Sequence, residues 1–310
     1  MTIPIPSLDP AHVRAIAIRT NDLGPFEEDV LWLFDTPSGE LEIPGSRVNG
    51  EAVGVLHAAF PGLDSEKIVR AMTSVEPRTF RVWHPRAAEV PRTKKALEAR
   101  FESLVTRLGG RDPGGHVGLA LISAWSAPER RYHDTEHLGE CLVALADLHG
   151  ENEDRDVAEL ALFYHDAVYD PRGPGSEAKS QELLWRDANA LAISDHVAER
   201  AAELVGATAH TELAGGAKDP LTGPVLDADL AGLARDPYGF LDYEDGVREE
   251  YMHVPDEVFF EARGRFLRGL LARPALYVTP AGAALYEARA RANLTALLAS
   301  PRYARGRARA

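Results

Sequence analysis

Apolar positions recur with a helical period along most of the chain, from Lys94 almost to the C-terminal end. Breaks that contain glycine or proline, such as residues 109–110 and 171–175, separate one periodic segment from the next. This part contains no convincing strand pattern and is predicted to be an all-α domain. The predicted helices cover about 95–108, 115–126, 129–149, 154–168, 176–191, 195–211, 226–235, 239–252, 255–272 and 279–299.

The first ninety residues follow a different pattern, in which short strand-like runs alternate with turns. The predicted strands are 29–34, 39–43 and 79–83, and the predicted helices are 51–60 and 65–74. A stretch bounded by prolines, 85–91, separates this region from the helical part. The fold is therefore predicted to be mainly α, with a small α+β region (1–90) before an all-α domain (91–310). The small region could shape substrate entry, mediate dimerisation or stabilise the bundle.

The overall charge is strongly acidic, with 48 acidic residues against 34 basic ones and a formal net charge of -14. Such a surface repels phosphate backbones, so we expect no stable complex with duplex nucleic acid. A small anionic substrate is still compatible with this charge if a bound cation reverses the field inside a pocket.

Cysteine usage and hydropathy indicate the compartment. The single cysteine, Cys141, allows no intrachain disulfide and no multi-cysteine zinc site, and its apolar surroundings predict a buried structural thiol. The N-terminus lacks a signal-peptide pattern, and no apolar run approaches the ~20 residues that cross a bilayer. We expect a cytoplasmic protein that does not insert into membranes.

Three segments contain histidine or aspartate side chains that could bind a metal or take part in catalysis. If 129–149 is one helix, His133 and His137 share a face at spacing i and i+4. His165 and Asp166 end an apolar helix, where a buried imidazole and carboxylate need a compensating charge. Asp227 or Asp229 could point inward from apolar neighbours, or could serve only as a helix cap and a first-turn acid. Two imidazoles with two carboxylates suit a divalent ion: Mn, Fe, Zn, Co or Mg.

The helical part resembles the HD-domain superfamily of metal-dependent phosphohydrolases, and within it the group whose substrates are unassigned. The motifs are R-x-Y-H-x-x-x-H at 130–137, HD-x-V-Y-D at 165–170, L-D-A-D-L at 226–230, R-x-E-Y at 248–251, G-R at 264–265 and A-R-x-N-L at 290–294. Two positions depart from related motifs. Asp134 stands where cyclic-nucleotide phosphodiesterases have Asn, and Ser176 stands where the group has the Asn of N-E-x-x-S, although Glu177 and Ser180 are kept.

The resemblance implies a role for each matching residue. The metal ligands fall on His137, His165, Asp166 and Asp229, with one or two ions per chain, and Asp229 is preferred to Asp227. His133 matches the histidine that protonates the leaving group, and Asp166 could also accept the proton of the attacking water. Apart from the resemblance, arginines are common phosphate ligands, and the candidates are Arg248 and Arg265, with Arg130 and Arg291 behind them. His210 could line the pocket or lie on the surface.

The resemblance implies hydrolysis of a nucleotide or a similar small phosphorylated metabolite by a metal-activated water. Two alternatives stay open. One is an HD domain that binds a nucleotide as a sensor without turnover, which the intact ligand set disfavours. The other is an HD-type di-iron oxygenase, for which His133 and His210 could be additional ligands. The partner expected in each case is a small molecule, and the chain could form a homo-oligomer.

Overall fold

The computed structural model describes residues 9–22, 28–149, 153–210 and 219–304. It is mainly α-helical with a small α+β region at the N-terminus, as predicted. The chain divides into two compact units: Met1–Val90 with Arg235–Gly246, and Pro91–Ala234 with Val247–Ala310. Of the helices in the described ranges, none is both long enough and apolar enough to cross a membrane.

The first unit is built on a four-stranded antiparallel sheet with the order β3-β2-β1-β4. Its strands are β1 (Ala15–Thr20), β2 (Val30–Thr36), β3 (Gly39–Pro44) and β4 (Arg78–Trp83). The three predicted strands match β2, β3 and β4. The sequence pattern does not single out β1, because this central strand is buried on both faces and lacks the alternation of apolar and polar residues.

Two helices and a distant segment complete the first unit. Helices α1 (Gly50–Ala59) and α2 (Ser65–Met72) agree with the predicted helices. The segment Arg235–Gly246 also belongs here: Asp242 accepts a hydrogen bond of 2.7 Å from Lys67, and Tyr238 packs in one apolar cluster with residues of β1 and β2. The predicted domain boundaries place this segment in the helical domain, whereas its contacts group it with the unit that contains the sheet.

The remaining helices follow in chain order, and α10 passes from the first unit into the second. They are α3 (Lys94–Arg107), α4 (His116–Trp125), α5 (Thr135–Leu148), α6 (Glu153–Tyr164), α7 (Ser176–Leu191), α8 (Asp195–Ala207), α9 (Thr222–Asp229), α10 (Pro237–Glu250), α11 (Asp256–Leu271), α12 (Pro280–Gly282), α13 (Ala288–Ala299) and α14 (Pro301–Ala304). A 3-10 turn, Leu230–Ala234, follows α9. A π-helical segment, Ala283–Glu287, joins α12 to α13.

The core of the second unit surrounds α5 and α6. Leu138 and Leu142 of α5 and Phe163 of α6 are fully buried, and the indole N–H of Trp125 donates a 2.9 Å hydrogen bond to the Phe163 carbonyl. A helix that is apolar on most sides is stable only inside such a core. This packing positions the ends of α5 and α6.

Several helix ends differ from the prediction, and the differences fall where the candidate residues lie. Helix α5 begins at Thr135 instead of about 129, and α6 ends at Tyr164 instead of about 168. The predicted helix 226–235 is the end of α9 followed by the 3-10 turn. The predicted helix 195–211 ends at Ala207, and residue 211 lies outside the described residues.

Candidate metal centre

Helix α5 begins with a capping interaction that presents His137 to the interior. The Asp134 carboxylate accepts hydrogen bonds from the backbone N–H groups of Glu136 (2.9 Å) and His137 (3.3 Å). The His137 ring is buried, with 2% of the residue exposed. His133 lies in the turn before the helix, so the prediction that both histidines share one helical face is wrong.

His165 and Asp166 lie in the turn directly after α6. The Nδ1 atom of His165 is 2.7 Å from the Leu162 carbonyl oxygen, which can only accept a hydrogen bond. Nδ1 therefore carries the hydrogen, and the lone pair of a neutral ring is on Nε2. A backbone hydrogen bond of this kind fixes the orientation of a histidine that binds metal.

The two aspartates at the end of α9 have separate environments. Asp227 is fully buried and accepts hydrogen bonds from Val278 N (2.6 Å), Thr279 N (2.8 Å) and Thr279 Oγ1 (2.6 Å). Asp229 instead points its Oδ1 at the two imidazoles, 3.5 Å from Nε2 of His137 and 3.5 Å from Nε2 of His165. Asp227 is thus a structural acid, and Asp229 lies at the cluster.

The donor atoms converge on one point. The Nε2 atoms of His137 and His165 are 3.2 Å apart, and Asp166 Oδ2 is 3.4 Å from the second and 3.9 Å from the first. Ligands that each lie about 2.1 Å from an ion are about 3.0–3.5 Å apart at angles of about 90–110°. At this separation the two ring nitrogens can share a proton or bind a common cation. The donor set therefore fits a divalent ion.

The electrostatics of the cluster also favour a cation. Burial opposes the charged form of His165, but Asp166 and the hydrogen bond with Asp229 outweigh burial and raise its pKa to about 9. Burial lowers the pKa of His137, with His165 adding to the effect. Burial raises the pKa of Asp229, yet hydrogen bonds from the surrounding histidines hold it well below its usual range. The carboxylates thus create a negative potential between the rings.

Cys141 is a further buried side chain beside this cluster. His137, Cys141, His165 and Asp229 form a group that could hold a metal ion, with ligand atoms within 4.8 Å of one another. However, the Cys141 Sγ atom is 3.6 Å from Nδ1 and 3.7 Å from Nε2 of His137, so it lies beside the ring. A ligand of an ion bound at Nε2 would be much closer to Nε2 than to Nδ1. The geometry favours Asp166 over the thiol as the additional donor.

His133 borders the cluster and is held from two sides. Its Nδ1 is 2.7 Å from Oε2 of Glu250, and its ring stacks on Tyr169 with centroids 4.1 Å apart. The ring of His133 lies 5.8 Å from that of His137. Burial lowers the pKa of His133, but Glu250 outweighs burial and raises it above the ordinary value. The carboxylate thus favours the protonated ring.

Arg130 organises the two turns that carry the histidines. Its guanidinium donates to the carbonyl oxygens of His133 (2.8 Å), Asp166 (2.8 Å) and Ala167 (2.9 Å). Arg130 was a candidate for phosphate binding, but the structure places its N–H groups against the backbone. Its contacts join the turn before α5 to the turn after α6.

Comparison of the chain with protein-family models, with curated proteins and with solved structures found no match. The function is therefore inferred from the residues of this centre.

The other candidate arginines contact residues outside the cluster. Arg248 donates to the carbonyl oxygens of Tyr251 and Val254 and pairs with Asp256. Exposed Arg265 pairs with Glu261 of its own helix at 2.8 Å. Arg291 likewise pairs with Glu287 of its own helix and donates to carbonyl oxygens in residues 271–274. Each guanidinium is engaged in local structure, and the phosphate-binding role of these arginines stays a prediction.

His210 lies beside Asp229, and its role as a pocket residue stays a prediction. Its Nε2 lies 2.8 Å from Oδ2 of Asp229, the carboxylate oxygen that faces away from the other two imidazoles. Its backbone is in the left-handed region, with φ at 51°, which is uncommon for a residue other than glycine. This contact orients the Asp229 carboxylate.

Two residues of the site have no role assigned by sequence reasoning. Glu250 holds His133, and its only sequence signal is its position in the R-x-E-Y motif. Ser180 is fully buried, and its hydroxyl contacts the backbone N–H (3.1 Å) and carbonyl oxygen (3.3 Å) of Val168, just after the His165–Asp166 turn. The S-E-x-x-S stretch marks Ser180, but neither motif by itself says which partner the side chain meets.

Proposed function

We propose that this chain is a metal-dependent phosphohydrolase of the HD superfamily, acting on a nucleotide or a similar small phosphorylated metabolite. The observation that supports the proposal is the convergence of His137, His165, Asp166 and Asp229 on one point, with His133 beside them. This mixed nitrogen and oxygen set suits Mn, Fe, Zn, Co or Mg.

Each residue has a defined task in such a reaction. When bound, a divalent ion supplies a Lewis acid that activates water and offsets phosphoryl charge. The four ligand residues would hold it, and the Asp166 carboxylate can accept a proton from water. His133, with Nδ1 committed to Glu250, can donate a proton from Nε2 to the leaving oxygen. Because the candidate arginines are engaged elsewhere, substrate phosphate is expected to depend on the ion for binding.

The first prediction tests the metal centre. His165→Ala and Asp166→Ala should each lose both the metal and the turnover of nucleotides and aryl phosphates, because each removes a donor from the cluster. Elemental analysis and a phosphate-release assay measure these outcomes. His196→Ala, which removes an exposed histidine of α8, is the matched control and should keep both. Full metal occupancy in both ligand variants would contradict the proposal.

One observation favours a second candidate, the di-iron oxygenase. His210 contacts the outer oxygen of Asp229, so His210 and Asp229 are the residues that would hold a second ion. Oxygen uptake by the iron-loaded protein, without phosphate release from any phosphoester, would select that function. Stoichiometric nucleotide binding without turnover would instead identify a sensor.

A further inference from the structure

Helix α10 ends at a buried carboxylate that binds three consecutive backbone N–H groups. Oε1 of Glu250 accepts hydrogen bonds from Arg131 N (2.8 Å), Tyr132 N (2.8 Å) and His133 N (3.0 Å). The Glu250 side chain is only 1% exposed. A buried carboxylate is costly unless it is paired, and here one oxygen defines the path of the turn before α5.

The second oxygen of the same carboxylate acts on the His133 ring. Oε2 of Glu250 lies 2.7 Å from His133 Nδ1 and accepts a 3.1 Å hydrogen bond from the Tyr169 hydroxyl. A carboxylate only accepts, so Nδ1 must carry the hydrogen. Nε2 is then the only ring nitrogen available for another partner. The Tyr169 ring stacks on the imidazole at 4.1 Å and limits its rotation.

We infer that Glu250 is a positioning residue that fixes the ring orientation and the tautomer of His133, the proton donor of the proposed reaction. The inference rests on the proposed function. The same carboxylate places the backbone of His133 with Oε1 and its ring with Oε2. Glu250 therefore acts on catalysis through His133 and has no contact with the metal ligands in the hydrogen bonds of the described residues.

The substitution Glu250→Gln separates this role from simple capping. An amide oxygen can still accept the three backbone N–H groups, so the turn keeps its path. The amide nitrogen would then face His133 Nδ1–H, and two donors cannot form a hydrogen bond. The ring must change its tautomer or rotate, which removes the proton donor from its place.

The kinetic test compares phenyl phosphate esters with 4-nitrophenyl phosphate esters, both as monoesters and as diesters. Glu250→Gln should lower kcat for the phenyl ester by about 10- to 1000-fold, with a much smaller loss for the nitrophenyl ester, whose leaving group needs no protonation. Metal content and KM should stay near wild type. Glu249→Gln is the matched control. It also removes one negative charge, but from the preceding residue, whose side chain pairs with Arg131. Equal losses for both esters would overturn the inference.

A double-mutant cycle with His133→Ala shows whether Glu250 acts through the histidine. If it does, adding Glu250→Gln to His133→Ala should cause no further loss of kcat. A loss by the same factor in both backgrounds would mean that Glu250 has a separate structural role, and the inference would be wrong.

A measurement without turnover separates this inference from the proposed function. In ¹⁵N spectra of histidine-labelled wild-type protein, His133 should show a protonated Nδ1, assigned by its loss in His133→Ala. Glu250→Gln should change this signal, and Tyr169→Phe, which removes only the hydroxyl contact, should shift it without changing the tautomer. An unprotonated Nδ1 in the wild type overturns the inference even if phosphoesters are hydrolysed. If Nδ1 is protonated but the protein hydrolyses no phosphoester, the Glu250–His133 contact is supported and the proposed function is wrong.

Discussion

Asp227 and Asp229 lie two positions apart but have different contacts and different roles. Asp227 receives three hydrogen bonds from the segment before α12, while Asp229 faces the three imidazoles of the cluster. The helical rotation between positions i and i+2 turns the two side chains in different directions. The first aspartate therefore holds the segment before α12, and the second belongs to the cluster that could hold a metal ion.

The two aspartates should separate in mutagenesis. Asp227→Ala leaves three part-buried donors of Val278 and Thr279 without their acceptor and should lower the free energy of unfolding by about 1–3 kcal/mol, while the folded protein still binds metal. Asp229→Ala should abolish metal binding with a smaller effect on the unfolding of the metal-free protein. Urea denaturation and elemental analysis measure both properties. If Asp227→Ala is fully folded but binds no metal, the assignment of Asp227 as a structural residue is wrong.

At the scale of elements, the residues of the candidate metal centre lie at helix ends and in the turns between helices. His137 lies in the first turn of α5, His165 and Asp166 follow α6, and Asp229 ends α9. Packed helices provide rigid supports, whereas side chains at their ends can converge on one point. The turn before α5 depends on α10, since Glu250 is the last residue of that helix and binds the turn directly.

The contact between α10 and this turn predicts a pH dependence of stability. Burial raises the pKa of Glu250, but His133 and the backbone N–H groups outweigh it and lower the pKa from 4.5 to about 2. A lowered carboxyl pKa stabilises the folded state fully above 4.5, and this contribution is lost as the pH falls through about 2. At about 1.36 kcal/mol per pKa unit, the contribution is about 3 kcal/mol.

The difference in unfolding free energy between wild type and Glu250→Gln should therefore be about 3 kcal/mol near neutral pH and shrink as the pH falls below 4.5. Urea denaturation from pH 7 to pH 3 tests this, with Glu249→Gln as the control for a less buried acid. A difference that stays constant over this range would show that the charge of Glu250 does not stabilise the turn.

At the scale of the molecule, two units share one chain that crosses between them three times. The sheet unit takes Arg235–Gly246 from within the helical part, and the proposed ligands all lie in the second unit. Tyr238, Phe240 and Tyr243 are each less than 10% exposed in the full chain. Without residues 1–90, this segment would lose its apolar and charged partners.

A fragment of residues 91–310 tests this division. Because it contains every proposed ligand, it should retain stoichiometric metal. The segment 235–246 should become the preferred site of limited proteolysis, since its partners in the sheet are missing, whereas the full chain should resist cleavage there. If the fragment is insoluble or lacks metal while the full-length protein is soluble and binds metal, the metal centre requires the first ninety residues.

The sequence by itself determines much of the helical part and three of the four strands. Helical periodicity reports which residues are buried, and it predicted most helices within a few positions of their ends. The His165–Asp166 doublet and the pair Asp227 and Asp229 stand out because charged groups inside apolar runs need a compensating partner, but the pattern does not say which of the two aspartates faces the cluster. These features depend on local patterns, so the sequence alone contains them.

Tertiary packing decides which distant groups meet. Strand β1 lacks alternation because both of its faces are buried, and the segment 235–246 is assigned by its contacts with β1, β2 and α2. The arginines show the same limit, since Arg130 looks like a phosphate ligand in sequence but binds three carbonyl oxygens in the structure. Glu250 meets His133 across 117 positions of sequence. Periodicity indicates which side chains are buried. The residue that pairs with a buried charged side chain is determined only by the tertiary structure.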